Sequence, residues 1–462
     1  MAAAERTIPE TLQGTRVLVI GFGRSGQGAA ELLAAEGARV TVVDDDAVVR
    51  RNVDVRRWAQ QGIPVHFGPI DPERVAGTDV MVVSPGVSPA SPWMSWARKL
   101  GIPVAGEIEV AFWTAEAPIA AVTGTNGKST TTELLGAIVR EGGMPVEVGG
   151  NTGRALSGFA HRVPPNGWIV AEISSFQLET IHRFRPRVAI FLNLTPDHLD
   201  RYLSLDEYQR AKERMFENQT GDDLAVLNRD DPRLRSTGDR IRAEVLETSL
   251  RVPVNEGAWV EKGRIVARIS GRRFEVCPAA ELVLRGPHNL ANALAVVAAA
   301  LWMGISPEVV AGVLRSFGSL SHRMELLGEV GGVEFVNDSK ATNVEAVVSA
   351  LVSFTAPVIL IAGGLGKGLD FAALAEASRG RVKRAILMGE AREEISHVLE
   401  KVTDVEFAGS MSEAVDRAMD VADPGEIVLL SPACASFDMF RNFEDRGNAF
   451  RAEVERLRDG SA

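Results

Sequence analysis

Pro118-Ile-Ala-Ala-Val122-Thr123-Gly124-Thr125-Asn126-Gly127-Lys128-Ser129-Thr130 passes from an apolar run into a glycine-bearing turn, and a helical pattern follows over 129–141. Strand, loop and helix in that order place the loop at the carboxyl end of a strand and at the amino end of a helix. There backbone N–H groups cradle phosphate oxygens, Lys128 neutralises them, and Ser129 can ligate Mg²⁺. The match to G-x-x-x-x-G-K-[ST] is incomplete, because Val122 stands where the first glycine belongs.

Further candidates follow the same logic of strand ends. Glu172 closes the apolar run 168–171, a place where the carboxylates of phosphoryl-transfer sites hold metal. His198 lies in Asn193-Leu-Thr-Pro-Asp197-His198-Leu-Asp200, after the run 188–192. Lys212 falls in a helical run over 204–218 with Glu213 and Arg214 beside it, and charge pattern alone reads it as an exposed helix lysine. Asn289 and Asn292 open an apolar helix, where their amides either read an adenine edge or cap the helix. Alternating residues between 259 and 276 predict a hairpin turning at Ser270-Gly271, a peripheral addition to this α/β core.

The chain begins and ends in related patterns. Gly21-Phe-Gly23-Arg-Ser-Gly26 follows the strand 16–20, and Asp44 closes the next strand. This is a diphosphate-binding fingerprint in its proper βαβ setting, and it specifies a diphosphate better than a nicotinamide. Ser84-Pro85-Gly86 marks another strand end. Beyond residue 319 the buried runs 333–336, 358–361, 385–388 and 427–430 alternate with amphipathic helices. The junctions 337–343 and 363–368, with the segment 430–437, read as anion-facing loops or as ordinary turns.

Composition sets the outer bounds. At about 150 residues per domain, 462 residues predict three folding units. With 50 Lys+Arg against 61 Asp+Glu, a net charge of −11 and no basic run, a nucleic-acid partner is not expected. Two distant cysteines, Cys277 and Cys434, suggest neither a disulfide framework nor a thiolate metal site, and a reducing cytoplasm fits them. The most apolar stretch, 290–305, contains Asn292 and is short for a membrane span.

Taken together, Thr123 to Thr130, Glu172-Ile-Ser-Ser-Phe-Gln-Leu-Glu179, Asp197-His-Leu-Asp-Arg-Tyr202, Asn337 to Asn343 and Leu430 to Phe443 resemble the Mur ligase family over essentially the whole chain. The resemblance implies three α/β domains: a Rossmann-like UDP-substrate domain (1–108), a P-loop-type central ATPase (109–319) and a Rossmann-like amino-acid domain (320–462). It implies an ATP-dependent ligase of the branch that adds D-glutamate to UDP-N-acetylmuramoyl-L-alanine through an acyl phosphate. The Asn-Pro-Arg signature of the diaminopimelate-adding branch is absent from the C-terminal third.

Site roles implied by the resemblance are as follows. Gly124, Thr125, Asn126, Gly127, Lys128, Ser129 and Thr130 bind ATP, with Asn289, Asn292, Arg323 and Asp338. Ser25, Ser84, Pro85, Gly86 and Asn151 meet the UDP-sugar. Thr342, Lys367, Ser436, Phe437 and Phe443 form the D-glutamate pocket. Two Mg²⁺ are implied, held by Ser129, Glu172, His198 and, if carbamylated, Lys212; Lys128, Glu172, His198 and Lys212 carry catalysis. Residues 318–323 are the candidate hinge, and a cytoplasmic monomer is expected. Asp45 and Asp46 replace the threonine and arginine that relatives set near uracil.

Overall fold

The computed structural model describes residues 7–45, 49–50, 53–68, 75, 77–151, 153–197, 201–284, 286–318, 321–366 and 369–460. Two compact units are present, one made of residues 1–279 with 291–313, the other of 280–290 with 314–462. The first unit carries two sheets and the second carries one.

β1 (Arg16–Ile20), β2 (Arg39–Asp44), β3 (Val65–Phe67), β4 (Val80–Val83) and β5 (Val104–Gly106) form a parallel sheet in the order β3-β2-β1-β4-β5. Valines and isoleucines on both faces are buried, as parallel strands covered by helices require. The helix α1 (Arg24–Ala35) begins directly after the glycine turn and buries Ala29, Ala30 and Leu33. Gly26 is obligatory there, because a Cβ would sit 1.9 Å from the Gly21 carbonyl oxygen.

The same unit continues through β6 (Ile119–Thr123), β7 (Val146–Gly150), β8 (Trp168–Glu172), β9 (Val188–Phe191), β10 (Leu224–Asn228) and β11 (Glu244–Ser249). β12 (Gly257–Glu261), β13 (Arg264–Ile269) and β14 (Arg272–Pro278) complete a nine-stranded sheet ordered β14-β13-β12-β11-β10-β9-β6-β8-β7. Ser270 and Gly271 take the positive φ angles of a tight hairpin turn. The expected hairpin is present as β13–β14 at the end of the sheet, and β12 joins it to the core by pairing in parallel with β11. The helix α2 (Glu107–Thr114) leads from the first sheet into the second, and α3 (Lys128–Glu141) follows β6.

In the second unit β15 (Glu325–Val330), β16 (Val333–Asn337), β17 (Val358–Gly363), β18 (Val382–Met388), β19 (Asp404–Phe407) and β20 (Ile427–Leu430) are ordered β15-β16-β20-β17-β18-β19. All neighbours are parallel except β15 with β16. Fold class is therefore α/β throughout, with a mainly parallel sheet in each third of the chain. Among the described residues, no helix is long and apolar enough to cross a membrane.

Candidate functional site

β6 lies between β8 and β9, so three adjacent parallel strands deliver their carboxyl-end loops to one edge of the sheet. The loop after β6 is Gly124 to Gly127. Val122 is fully buried inside the strand, which explains why a side chain is tolerated where the P-loop pattern has glycine. Gly124 and Gly127 take φ of 148° and 84°, and a Cβ on Gly127 would come within 2.4 Å of Asn292 Oδ1. Helix α3 starts at Lys128 with no side-chain cap, leaving its first N–H groups for an anion.

Asn193, whose place in the sequence alone assigns it no role, holds this loop in shape. Its Oδ1 accepts from the Asn126 N–H at 2.9 Å, its Nδ2 donates to the Asn126 carbonyl at 3.0 Å, and its carbonyl accepts from the Thr125 N–H at 3.0 Å. Thr125 Oγ1 donates to the Thr195 carbonyl and accepts from the Thr195 N–H. A conformationally expensive glycine turn is thus preorganised by side-chain amide pairing rather than left to the ligand. The signal available in sequence was its position at the end of β9, beside β6.

Lys128 Nζ donates to the carbonyls of Gly124 (2.9 Å) and Thr125 (2.6 Å), curling over the loop. Ser129 and Glu172 are buried, and the Ser129 hydroxyl donates to Glu172 Oε2. Glu172 Oε1 accepts from Asn151 Nδ2 at 2.9 Å, so Asn151 contacts the same carboxylate as Ser129. A hydroxyl and a carboxylate side by side form a hard oxygen donor set, suited to Mg²⁺. Among the described residues, no group of three or more His, Cys, Asp or Glu side chains is placed to hold a metal ion by itself. His198 and Lys367 lie outside the described residues, as do Asp46 and residues 319–320 of the candidate hinge.

Lys212, read from charge pattern as exposed, is 1% exposed, and this overturns that reading. It lies in the helix Leu205–Glu213, with Nζ donating to the Gly124 carbonyl at 2.8 Å and resting 4.6 Å from the Tyr208 ring centroid. The flanking charges misled because Glu213 pairs with Arg240 and Arg214 with the Glu179 and Ile181 carbonyls, while residue 212 reaches the Gly124 carbonyl instead. Burial and the nearby Lys128 push its ammonium well below the ordinary lysine range, with Asp197 and Glu172 opposing.

In the first sheet Ser84 Oγ donates to the Gly21 carbonyl at 3.0 Å, Ser25 is half-buried at the start of α1, and Gly86 is exposed. Asp44 Oδ2 accepts from the Phe22 N–H at 2.5 Å, so this carboxylate fastens the glycine turn itself.

Within the second unit the loops after β16, β20 and β17 again leave neighbouring strands. Arg446, fully buried and unanticipated from sequence, binds the first two together: Nε donates to Ser339 Oγ at 3.0 Å, Nη2 to the Ser339 carbonyl at 2.8 Å and Nη1 to the Cys434 carbonyl at 3.1 Å. Its nearby segment starts the last helix, Phe443–Gly460, whose Phe443 ring faces Lys340 Nζ. Ser436 is buried, while Thr342 and Phe437 are exposed. Asn289, Arg323 and Asp338 also belong to this unit, whereas Asn292 belongs to the first.

Asp338 is buried, accepts from Ser431 Oγ (2.9 Å) and the Met324 N–H (3.2 Å), and is pushed up to about 7, chiefly by desolvation. A folded value above the unfolded one means that raising the pH from about 4 to 7 strips a proton the folded state holds more tightly, so stability falls across that window. Asp338→Asn removes the charge and keeps the Met324 N–H bond on its one amide oxygen, while the Ser431 hydroxyl turns to accept from the new Nδ2. It is expected to melt several degrees higher than the parent at pH 8, with the gap closing towards pH 4; calorimetry at both pH values checks this.

Three family models match successive parts of the chain: Mur ligase MurD-like, N-terminal domain (15–106), Mur ligase middle domain (122–300), and Mur ligase, glutamate ligase domain (322–434). A UDP-N-acetylmuramoylalanine--D-glutamate ligase of Pelotomaculum thermopropionicum is 44% identical over 96% of this chain and 98% of its own length. One from Geobacter metallireducens is 43% identical over 97% and 99%. Among solved structures, the UDP-N-acetylmuramate-alanine ligase MurC of Thermotoga maritima matches with TM-score 0.61 at 20% identity, covering 96% of this chain and 99% of that one. MurF ligase of the same organism, in complex with ADP, matches at TM-score 0.59 and 16% identity over 98% of each chain, a likeness of fold. A phosphate-type loop flanked by Glu172 and a buried lysine, three α/β sheets, and identity above 40% along nearly the full length place this chain in the Mur ligase family.

Proposed function

We propose that this chain is an ATP-dependent ligase that joins D-glutamate to the L-alanyl carboxylate of UDP-N-acetylmuramoyl-L-alanine, in the cytoplasmic synthesis of peptidoglycan precursor. The observation that carries this reading is end-to-end similarity to relatives bearing that activity in their names, at 44% identity. A carboxylate and an amine do not condense in water, so the reaction begins when a carboxylate oxygen attacks the γ-phosphorus of ATP and ADP leaves. The D-glutamate nitrogen then attacks the acyl phosphate carbonyl, and inorganic phosphate departs as the amine loses a proton.

The chain contributes electrostatics and position, and no side-chain nucleophile is required. Lys128 moves from the loop carbonyls onto the transferring phosphoryl group, while Gly124, Thr125, Asn126, Gly127 and Thr130 enclose the phosphates. Asn289, Asn292, Arg323 and Asp338 are further proposed contacts to the nucleotide. Ser25, Ser84, Pro85, Gly86 and Asn151 present the UDP-sugar, and Thr342, Lys367, Ser436, Phe437 and Phe443 receive D-glutamate.

Ser129, Glu172, His198 and carbamylated Lys212 are the proposed holders of two Mg²⁺ ions, which when bound screen the negative charge of the transferring phosphoryl group. Lys212 suits carbamylation: its neutral amine adds to CO₂, forming an N–C bond and releasing one proton, and the product is an anion where a cation would repel metal. The working unit is proposed to be a monomer.

The test is coupled ADP release with UDP-N-acetylmuramoyl-L-alanine and a panel of D- and L-amino acids. D-Glutamate is expected to be the amino acid that stimulates turnover. Stimulation by L-alanine instead, or release indifferent to any amino acid, overturns the assignment.

A further inference from the structure

Two segments at the candidate site meet on one carboxylate. Glu179 ends the short helix Ser175–Leu178 that follows Glu172. Its Oε1 accepts from Arg201 Nε at 3.0 Å and from the Tyr202 hydroxyl at 2.6 Å, and its Oε2 accepts from Arg201 Nη2 at 2.5 Å. Arg201 and Tyr202 lie three and four residues beyond His198. The Arg201 side chain is only 15% exposed and that of Glu179 19%, so the pair is shielded and bidentate, a geometry that fixes direction as well as charge.

Two further contacts extend this pair. Arg201 Nη1 donates to the Pro85 carbonyl at 3.4 Å, reaching the strand-end turn of the first sheet, and its guanidinium lies 4.2 Å from the Phe176 ring centroid. Tyr202 packs on Tyr208 with centroids 5.3 Å apart, and Tyr208 is the ring beneath Lys212. Ser84, Pro85, Phe176, Gln177, Glu179 and Arg201 line a shallow open cleft within this unit. The contacts therefore run without a gap from the cleft wall to the buried lysine.

We infer that Glu179, Arg201 and Tyr202 form a positioning clamp that couples the UDP-substrate turn at Pro85 to the segment that follows β9 and, through Tyr208, to Lys212. The inference rests on the function proposed above and adds residues to it. Arg201 acts through others: it holds the Pro85 carbonyl and the Glu179 segment at fixed separation, so that the acceptor carboxylate and the metal-holding loops meet in register. A displacement near 1 Å in such a register costs about 10²-fold in rate.

Steady-state ADP release separates this role from a merely structural one. Arg201→Met is expected to raise KM for the UDP-substrate about tenfold and lower kcat about tenfold, with KM for ATP changed less than about threefold, because the phosphate loop keeps its own braces. Arg201→Lys, which retains charge without the fork, is expected to recover thermal stability and not kcat. Tyr202→Phe, which removes one hydroxyl, is expected to lower kcat several-fold and decides the matter if Arg201→Met fails to fold. Folded variants whose kcat and both KM values stay within twofold of the parent overturn the clamp, as does a loss confined to KM for ATP. A parent chain inactive with D-glutamate would instead sink the function proposed above.

Discussion

Lys128→Ala is expected to lower D-glutamate-dependent ADP release by at least about 10³-fold while leaving the fold intact. Removing a single preorganised donor from a transition state costs about 10²–10³, and Lys128 supplies a full charge besides. In the ligand-free loop its ammonium is held by the Gly124 and Thr125 carbonyls, at a half-buried position that water can fill in the variant. Asn193 continues to brace Asn126 and Thr125, so the loop itself survives. Circular dichroism and melting temperature should match the parent within a few degrees. A folded variant retaining a tenth of parental turnover removes Lys128 from the chemistry.

Much of this arrangement could be read from the chain, and the reason is periodicity. Fully buried parallel strands such as β6 and β9 are continuous apolar runs, and whatever polar residue follows them must lie on the sheet's carboxyl edge. That argument found Lys128, Ser129, Glu172 and the turn at Ser84. It passed over β7, whose Val146-Glu-Val-Gly-Gly150 is too polar to read as buried, and β19, an edge strand with Asp404 and Glu406.

Lys212 shows a different failure. Whether a helix lysine is exposed depends on which face meets the sheet, and flanking Glu213 and Arg214 carry no information about Gly124, which is 88 residues away. Arg446 is similar: its partners Ser339 and Cys434 come from two other loops, so no local pattern announces a buried guanidinium. Asp44 fits the ribose-reading position by spacing, yet geometry gives its carboxylate to the Phe22 amide. Spacing locates such residues, and only three-dimensional packing assigns their partners.

Lys212→Ala is expected to lose about 10²–10³-fold in turnover and to regain part of it when millimolar formate or acetate is added, because a small carboxylate can occupy the space of the proposed carbamate. Lys212 and Lys128 donate to the same Gly124 carbonyl, and two ammonium groups on one acceptor in a buried site repel. Neutralising Lys212 relieves that repulsion, and adding CO₂ turns it into attraction towards Lys128.

The sign of the pH effect follows from this chemistry. Carbamate formation consumes a neutral amine and releases a proton, so acid reverses it, and a lysine displaced well below its ordinary range supplies neutral amine at pH values where a surface lysine supplies almost none. Activity should therefore fall on acidification in CO₂-depleted buffer and return with bicarbonate, while Lys212→Arg, a fixed cation beside Lys128, should resist rescue by carboxylates. Labelled bicarbonate should give the parent chain a ¹³C carbamate signal that the alanine variant lacks. Full turnover by Lys212→Ala without additives, or a parent with neither signal nor bicarbonate response, would leave the buried lysine as packing beneath the phosphate loop and nothing more.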